Sequence, residues 1–344
     1  MAGIMDVVGI ISNLDYRPNY VRAKCIRSVS PKVNCSICEE VCSKKAVVIN
    51  KKEITINESC NFCNECVSHC PTNALVDTGR KFAGADKKIY LLCHKHKLGP
   101  DEEVNNLRIE CLNFLSTKIL LNIYNKGFRE IHTNFKECDS CQRSHGLQTE
   151  LDRTNKILGN LNLPLMSVYD DDVENLIEYV KEAGNKKKDT KVDRRSFFKY
   201  MAKDIFGKTY EIAPPAMRVQ FWHSTEQILQ KWQHNNENKL SVYKVVIDKD
   251  RCIQCKACVK MCPDNVWEEN NGDIIFRQYL CTGCNLCRDI CPTKAIDVAE
   301  NIKLINETIL SNTKKECTSC KKEFISSVTE ADICPSCIWK RIRN

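Results

Sequence analysis

The chain contains 24 cysteines, and their spacing sorts them into six groups of four with none left over. Three groups are regular. Cys252, Cys255, Cys258 and Cys262 are followed by Pro263, Cys281, Cys284, Cys287 and Cys291 by Pro292, and Cys60, Cys63, Cys66 and Cys70 by Pro71. Each reads C-x2-C-x2-C-x3-C-P. Gaps of two and three residues suit metal ligation better than a disulfide framework. Thiolates are soft ligands that select zinc and iron–sulfur clusters. A C-x2-C-x2-C loop lets three sulfurs reach three irons of one cubane, while the cysteine after three further residues begins a helical turn and points elsewhere. The chemistry implied is electron transfer. No G-x-G-x-x-G, P-loop or G-x-S-x-G accompanies these runs. With every cysteine in a ligand set, no catalytic nucleophile is left over.

The paired runs resemble bacterial two-cluster ferredoxins, in which the fourth cysteine of one run ligates the other cluster. For residues 241–300 the resemblance implies one 4Fe–4S cluster on Cys252, Cys255, Cys258 and Cys291 and another on Cys281, Cys284, Cys287 and Cys262. Residues 1–85 are similar but irregular. Their first run is Cys25, Cys35, Cys38 and Cys42, with nine residues where two are usual and Ser43 where proline is usual. The same exchange implies one cluster on Cys25, Cys35, Cys38 and Cys70 and another on Cys60, Cys63, Cys66 and Cys42. A three-iron cluster that leaves Cys25 unligated is the alternative. His69, beside Cys70, reads as a residue that tunes or covers a cluster.

These ligands need elements to hold them. AVVINKKEITIN alternates around a Lys-Lys turn, and VWEENNGDIIFRQYLC carries an Asn-Gly turn, so each ferredoxin-like domain should place a hairpin between its runs. VYKVVIDKDRC should be a strand entering the run at Cys252. Residues 86–184 change texture. KKIYLLC, FREIHTNF and LPLMSVYD read as strands, and ECLNFLSTKILLNIYNKG, GLQTELDRTNKILGNLN and DDVENLIEYVKEAG as helices. This β-α-β-α-β-α order predicts a small parallel sheet. Cys93, Cys111, Cys138 and Cys141 could then meet beyond the carboxyl ends of its strands. With the strand before Cys93 and the Lys-Glu-Cys-Asp-Ser-Cys turn, they resemble the iron–sulfur (delta) subunit of methyl-viologen-reducing hydrogenases. That resemblance implies a 2Fe–2S cluster on the four. Four unligated cysteines are the plain alternative; His94 and His96 could substitute as ligands but read as solvated, and His145 lies four residues beyond Cys141.

Residues 185–240 read as a helical connector, with RRSFFKYMAKDIFG and VQFWHSTEQILQKWQHN as its helices. Arg194-Arg195 resembles a twin-arginine export motif, but it lies mid-chain and no apolar core follows it. In residues 301–344, Cys317, Cys320, Cys334 and Cys337 form two C-x2-C knuckles resembling a zinc ribbon. A rubredoxin-like iron is the alternative.

Composition constrains the rest. The 52 Lys and Arg exceed the 44 Asp and Glu by 8, but that count treats cysteines as neutral. Six four-thiolate sites would remove about 12 charges, leaving the holoprotein near about −4. The basic excess is therefore weak ground for nucleic-acid binding. No apolar run approaches membrane-span length, the N-terminus lacks the marks of a signal peptide, and thiolate ligands suit a reducing cytoplasm.

The fold expected is therefore α+β: ferredoxin-like dicluster domains flanking a small α/β parallel-sheet domain, plus a small zinc ribbon. The role expected is an electron relay between a donor and a larger oxidoreductase such as a hydrogenase, formate dehydrogenase or molybdenum enzyme. A cofactor-maturation or redox-sensing protein is one alternative. An oxidoreductase subunit with an organic cofactor on the α/β domain is another.

Overall fold

The computed structural model describes residues 17–51, 53–77, 83–85, 87–93, 108–135, 138, 146–172, 174–176, 178, 223–233, 239–270, 273–305, 308–310, 313–326 and 332–343. Its first part runs from strand β1 (Asn19–Tyr20) through one-turn helices α1 (Ile26–Val29) and α2 (Ile37–Glu40) to the expected hairpin of β2 (Val47–Asn50) and β3 (Glu53–Ile56). Helix α3 (Glu65–His69) and β4 (Leu75–Val76) follow, and β4 closes the unit by pairing antiparallel with β1. Alternation turns Val47 and Ile54 inward, where they join Cys25, Cys38, Cys66, Val67, Ala74 and Leu75 in one small core. Half of the apolar interior here is cysteine or its neighbours, so packing and ligation are the same construction.

The middle part contains β5 (Ala83–Ala85), β6 (Lys88–Cys93), β7 (Arg108–Ile109), helix α4 (Thr117–Asn125), β8 (Glu130–Thr133), helix α5 (Leu147–Asn160) and β9 (Ser167–Asp170). Strands β6, β8 and β9 are parallel neighbours, as the alternation of strand and helix patterns predicts. Strand β5 adds an antiparallel edge, and β7 runs parallel beside the Cys93 end of β6. Ile89, Leu91 and Ile131 from the sheet share one core with Ile119, Leu120 and Ile123 of α4 and Leu151, Ile157 and Leu158 of α5.

The helix expected from Glu110 onward is broken. Leu112–Phe114 form a 3-10 turn, Leu115 leaves the helical region at ψ 57°, and α4 begins only at Thr117. The cause is capping. Glu150 accepts from the Thr117 N–H at 2.5 Å and from its hydroxyl at 2.7 Å, fixing the helix start there. The Ser116 hydroxyl meanwhile donates to the Ser68 carbonyl at 3.1 Å, outside the helix.

Helix α6 (Thr225–Trp232) opens on a capping box. The Gln227 N–H donates to Ser224 Oγ, and the Ser224 N–H to Gln227 Oε1. Asn122 fixes it to α4 by donating to the His223 carbonyl at 2.8 Å and accepting from the His223 N–H at 2.9 Å. The helix over RRSFFKYMAKDIFG, and most of that over DDVENLIEYVKEAG, lie outside the described residues.

The last part begins with the expected strand, β10 (Lys239–Ile247), then helix α7 (Ala257–Met261), the expected hairpin β11 (Trp267–Asn270) and β12 (Asp273–Phe276), helix α8 (Leu286–Ile290) and β13 (Ile296–Ile305). Strand β13 pairs antiparallel along β10, with an irregularity between Ser241 and Tyr243. One end of this ribbon belongs to a core of Val245, Val266, Trp267, Ile274, Phe276 and Ile296. Leu240, Val242 and Ile302 at the other end are buried in the α/β core with Ile228 and Leu229. The ribbon thus crosses residue 240 without interruption. Strand β14 (Thr308–Leu310) pairs with β12, and hairpin β15 (Thr313–Glu316) and β16 (Glu323–Ser326) with helix α9 (Pro335–Arg343) completes the chain. Among the described residues no helix is long and apolar enough to cross a membrane.

Candidate metal centres

In each regular run the backbone turns left-handed on both sides of the second cysteine, at Phe62 and Asn64, Gln254 and Lys256, and Gly283 and Asn285. These turns wrap the loop around a common centre. The third cysteine then sits in a short helix, α3, α7 or α8. Each helix stops after five residues because a Cys-Pro pair follows, and proline excludes its predecessor from the helical region. Cys70, Cys262 and Cys291 accordingly adopt extended conformations, with ψ of 117°, 119° and 116°. That carries the fourth cysteine away from the first three.

The fourth cysteines arrive at the other loop. Burial pushes the Cys38 thiol up to about 12, and neighbouring Cys70, Cys35 and Cys25 push the same way. Burial also raises Cys66, followed by Cys63, Cys38, Cys42 and Cys60. In the C-terminal pair, burial lifts Cys258 to about 12, with Cys252, Cys255 and Cys291 contributing. It lifts Cys287 to about 12, with Cys284, Cys258 and Cys262 contributing, and it raises Cys281, with Cys287 and Cys284 adding. Cysteines of the two runs of each module are therefore spatial neighbours, and Cys25 is among them at 6% exposure. Thiols crowded out of water and against one another resist ionising alone. A cationic core that takes up their charge fits such sites.

The irregular first run reaches the same end differently. Helix α2 stops at Val41 without a proline, yet the Ala46 N–H donates to Cys42 Sγ at 3.2 Å. The Ala74 N–H does the same for Cys70 at 3.2 Å, and the Ala295 N–H for Cys291 at 3.3 Å. Left-handed Lys45, Asn73 and Lys294 aim these groups. An N–H donor to sulfur favours the more electron-rich state of whatever the sulfur binds.

The sequence reading missed the polar residues between the parts. Lys118 of α4 is buried and donates to the Val67 carbonyl at 2.6 Å, Asn73 Oδ1 at 3.0 Å and the Cys70 carbonyl at 3.2 Å. Burial lowers its pKa to about 8, against the pull of Cys70 and Glu226. Glu226 faces the same cavity, and burial raises it to about 7. Arg153 of α5 donates to the Tyr243 hydroxyl at 3.2 Å, and the Tyr243 ring covers Gly283, where an added Cβ would lie 2.4 Å from it. His69 lines this cavity as well, its Nδ1 at 2.9 Å from the Glu65 carbonyl. A lone lysine inside the apolar STKILLNIY stretch was the available signal for Lys118.

Cys93, Cys111 and Cys138 lie at the carboxyl end of the parallel strands. Cys93 ends β6 beside Ile109 of β7, Cys111 follows β7, and the Cys93 N–H donates to Asn134, just beyond β8, at 3.1 Å. Cys93 and Cys111 are buried and Cys138 is half-buried. Cys141, His94, His96 and His145 lie outside the described residues.

Cys317, Cys320, Cys334 and Cys337 hold their sulfurs within 4.8 Å of one another. A tetrahedron of about 2.3 Å metal–sulfur bonds has edges of about 3.8 Å, and Cys320 and Cys334 stand 3.6 Å apart. Burial opposes ionisation of Cys317, but N–H groups of Cys334, Cys320 and Ser319 prevail and lower it to about 6. The Lys322 N–H pulls Cys320 down, and burial and the neighbouring thiols take it up to about 11. N–H groups that favour the Cys317 thiolate suit a four-sulfur metal site.

Loops and exchanged cysteines of this kind define an iron–sulfur protein. Residues 245–298 match the family described as a 4Fe-4S dicluster domain, and residues 54–76 match the 4Fe-4S binding domain. A ferredoxin of Methanothermococcus thermolithotrophicus is 41% identical over 59 residues, covering 98% of that protein and 16% of this chain. The chain belongs, through these domains, to the 4Fe–4S ferredoxin family. Pyruvate synthase subunit PorD of Thermotoga maritima is 31% identical over 67 residues, or 68% of its length and 19% of this chain. An archaeal-type glutamate synthase (NADPH) of Thermotoga sp. strain RQ2 is 40% identical over 60 residues. The match spans 12% of that synthase's length and 16% of this chain.

Proposed function

We propose that this protein relays electrons between a donor and a larger oxidoreductase. The observation that carries this reading is that in both paired runs the fourth cysteine of one run stands among the cysteines of the other, with all but the exposed Cys255 buried or half-buried. Each set would hold one 4Fe–4S cluster: Cys25, Cys35, Cys38 and Cys70; Cys42, Cys60, Cys63 and Cys66; Cys252, Cys255, Cys258 and Cys291; Cys262, Cys281, Cys284 and Cys287. Such clusters supply reversible one-electron storage. The protein's own residues supply the rest. Thiolates fix the positions, N–H donors and Lys118 favour the reduced state, and the apolar core excludes water. Soluble partners in the cytoplasm suit this role. The subunits of pyruvate synthase and phenylglyoxylate dehydrogenase among the relatives support an oxidoreductase partner, and hydrogenases, formate dehydrogenases and molybdenum enzymes are the partner classes we infer.

In this reading the α/β domain, resembling the delta subunit of methyl-viologen-reducing hydrogenases, holds a 2Fe–2S cluster on Cys93, Cys111, Cys138 and Cys141 and docks a partner. The tail holds one zinc on Cys317, Cys320, Cys334 and Cys337 as a structural ribbon. The test is iron, sulfide and zinc per chain in anaerobically purified protein, with EPR during stepwise reduction. About 18 iron and one zinc, with cubane and 2Fe–2S signals, are expected. About 16 iron would remove the 2Fe–2S assignment, and protein without cubane signals would overturn the relay.

A further inference from the structure

The irregularity of the first run has a structural use. Residues 26–34, the extra stretch between Cys25 and Cys35, place Ile26 and Val33 against Leu286 and Ile290 of the C-terminal dicluster module. All four side chains are buried, at 2%, 2%, 1% and 7% exposure. Val29, Ala257, Met261, Cys35 and Cys284 pack around them. The contact therefore joins α1 to both short helices of the other module, and a cysteine from each module sits at its edge. Cys35 belongs to the set of Cys25, Cys38 and Cys70, and Cys284 to the set of Cys262, Cys281 and Cys287.

The stretch is braced from its own side. Arg27 donates to the Cys35 carbonyl at 2.8 Å and to the Lys51 carbonyl at 3.1 Å, and Ser28 to the Cys25 carbonyl at 2.7 Å. Across the junction, the Asn34 N–H donates to Asp289 at 3.4 Å. A two-residue gap, as in the regular runs, would leave no chain to cover Leu286 and Ile290. Burying those side chains against α1 rather than water is what holds the modules in one orientation.

We propose that residues 26–34 are a docking element that sets the two modules face to face, so that clusters held by Cys25, Cys35, Cys38 and Cys70 and by Cys262, Cys281, Cys284 and Cys287 would be neighbours able to exchange an electron. The four sites would then follow one another in a fixed order. The Cys42, Cys60, Cys63, Cys66 site lies at one end and the Cys252, Cys255, Cys258, Cys291 site at the other, where Cys255 is exposed. The transfer is a one-electron exchange: the donor site is oxidised as its neighbour is reduced, and no bond forms or breaks. The electron enters from a low-potential one-electron reductant. This inference rests on the iron–sulfur reading of the sites.

The test measures magnetic coupling between the modules in full-length, anaerobically purified protein reduced with dithionite. In the wild type, spin–spin interaction should join signals from both modules. Val29→Asp, which puts a charge into the junction four residues from the nearest cysteine, should keep its iron and cubane spectrum and lose the inter-module interaction. Asp289→Ala with Val33→Ala weakens the same junction without adding charge, and carries the test should Val29→Asp lose iron. Unchanged coupling in an iron-replete variant, or two magnetically independent modules in the wild type, would overturn the docking role. A wild type without cubane signals would instead overturn the iron–sulfur reading.

Discussion

The two dicluster modules solve one problem in opposite ways. In the N-terminal module Cys25, Cys38, Cys63 and Cys66 are buried, whereas no cysteine of the C-terminal module is, and Cys255 is exposed. The difference comes from neighbours rather than from the loops. Helix α4 reaches the N-terminal module through Lys118 and Ser116, and the nine-residue insertion covers its other side. The C-terminal module is sewn to the α/β core by its own long ribbon, which supports it from one end and leaves the Cys255 loop in solvent. Identical ligand runs can therefore hold sites of different burial, which is one lever on reduction potential. The burial contrast leaves the C-terminal end the more accessible of the two.

The contrast is sharpest at equivalent positions before the second cysteine. Phe62, Gln254 and Gly283 are all left-handed, and Gly283 lies under the Tyr243 ring. Gly283→Ala combines backbone strain with overpacking against Tyr243 and should cost about 3–5 kcal/mol. Phe62→Ala and Gln254→Ala should cost far less. Thermal unfolding and iron retention report the difference. In a Tyr243→Ala background Gly283→Ala should cost much less than in the wild type, because the ring is the obstacle, and an equal cost in both backgrounds would place it elsewhere.

The next effect is a pH dependence at the cavity between the modules. Glu226 keeps its proton to about pH 7 in the folded chain, while the unfolded chain releases it in the usual carboxylate range. Between those limits the folded state binds more protons, so stability is greatest below that range and falls as pH rises to 7. Ionised Glu226 costs up to about 3 kcal/mol. Glu226→Gln should therefore gain stability over the wild type at pH 8 and not at pH 4.5. An equal difference at both pH values, measured by melting temperature, would show that Glu226 is not held protonated by burial.

Lys118 is the smaller, more local lever. Lys118→Met leaves the Val67 and Cys70 carbonyls without a buried donor, a cost of about 1–3 kcal/mol. It also removes a cation beside Cys70 and Cys66. The N-terminal sites should move to lower reduction potential while that around Cys252, the farthest from Lys118, moves least. A redox titration followed by EPR checks this, and equal shifts in both modules would break the comparison.

How much of this was legible beforehand follows from what each feature depends on. The cysteine loops, their hairpins and the parallel strands around Cys93 were readable because ligand spacing and alternation are local. Fold class followed at the level of ferredoxin-type domains with small mixed α/β sheets. The start of α4 was misplaced because its cap, Glu150, lies 33 residues away. Lys118 and Glu226 escaped because a buried charge is defined by residues from three distant segments. The insertion at 26–34 was visible as an anomaly, but its partners Leu286 and Ile290 are some 255 residues further along, as the Asn34–Asp289 bond records. Spacing shows that a stretch is extra and says nothing of what it covers.

The weakest expected effect is one of access rather than energy, and it tests the comparison most directly. Cys255 is exposed and Cys252, Cys258 and Cys291 are half-buried, while Cys63 and Cys66 are at 8% and 6% exposure. Mild oxidation with ferricyanide in the presence of a membrane-impermeant chelator should therefore release iron first from the C-terminal end. Thiols freed in this way can be alkylated and mapped by mass spectrometry. Cys252 and Cys255 should label before Cys63 and Cys66. The order should survive Lys118→Met, since that change alters charge and not the path of solvent. If Cys63 and Cys66 label as early as Cys255, burial in the N-terminal module does not protect its site, and the asymmetry of access between the modules disappears.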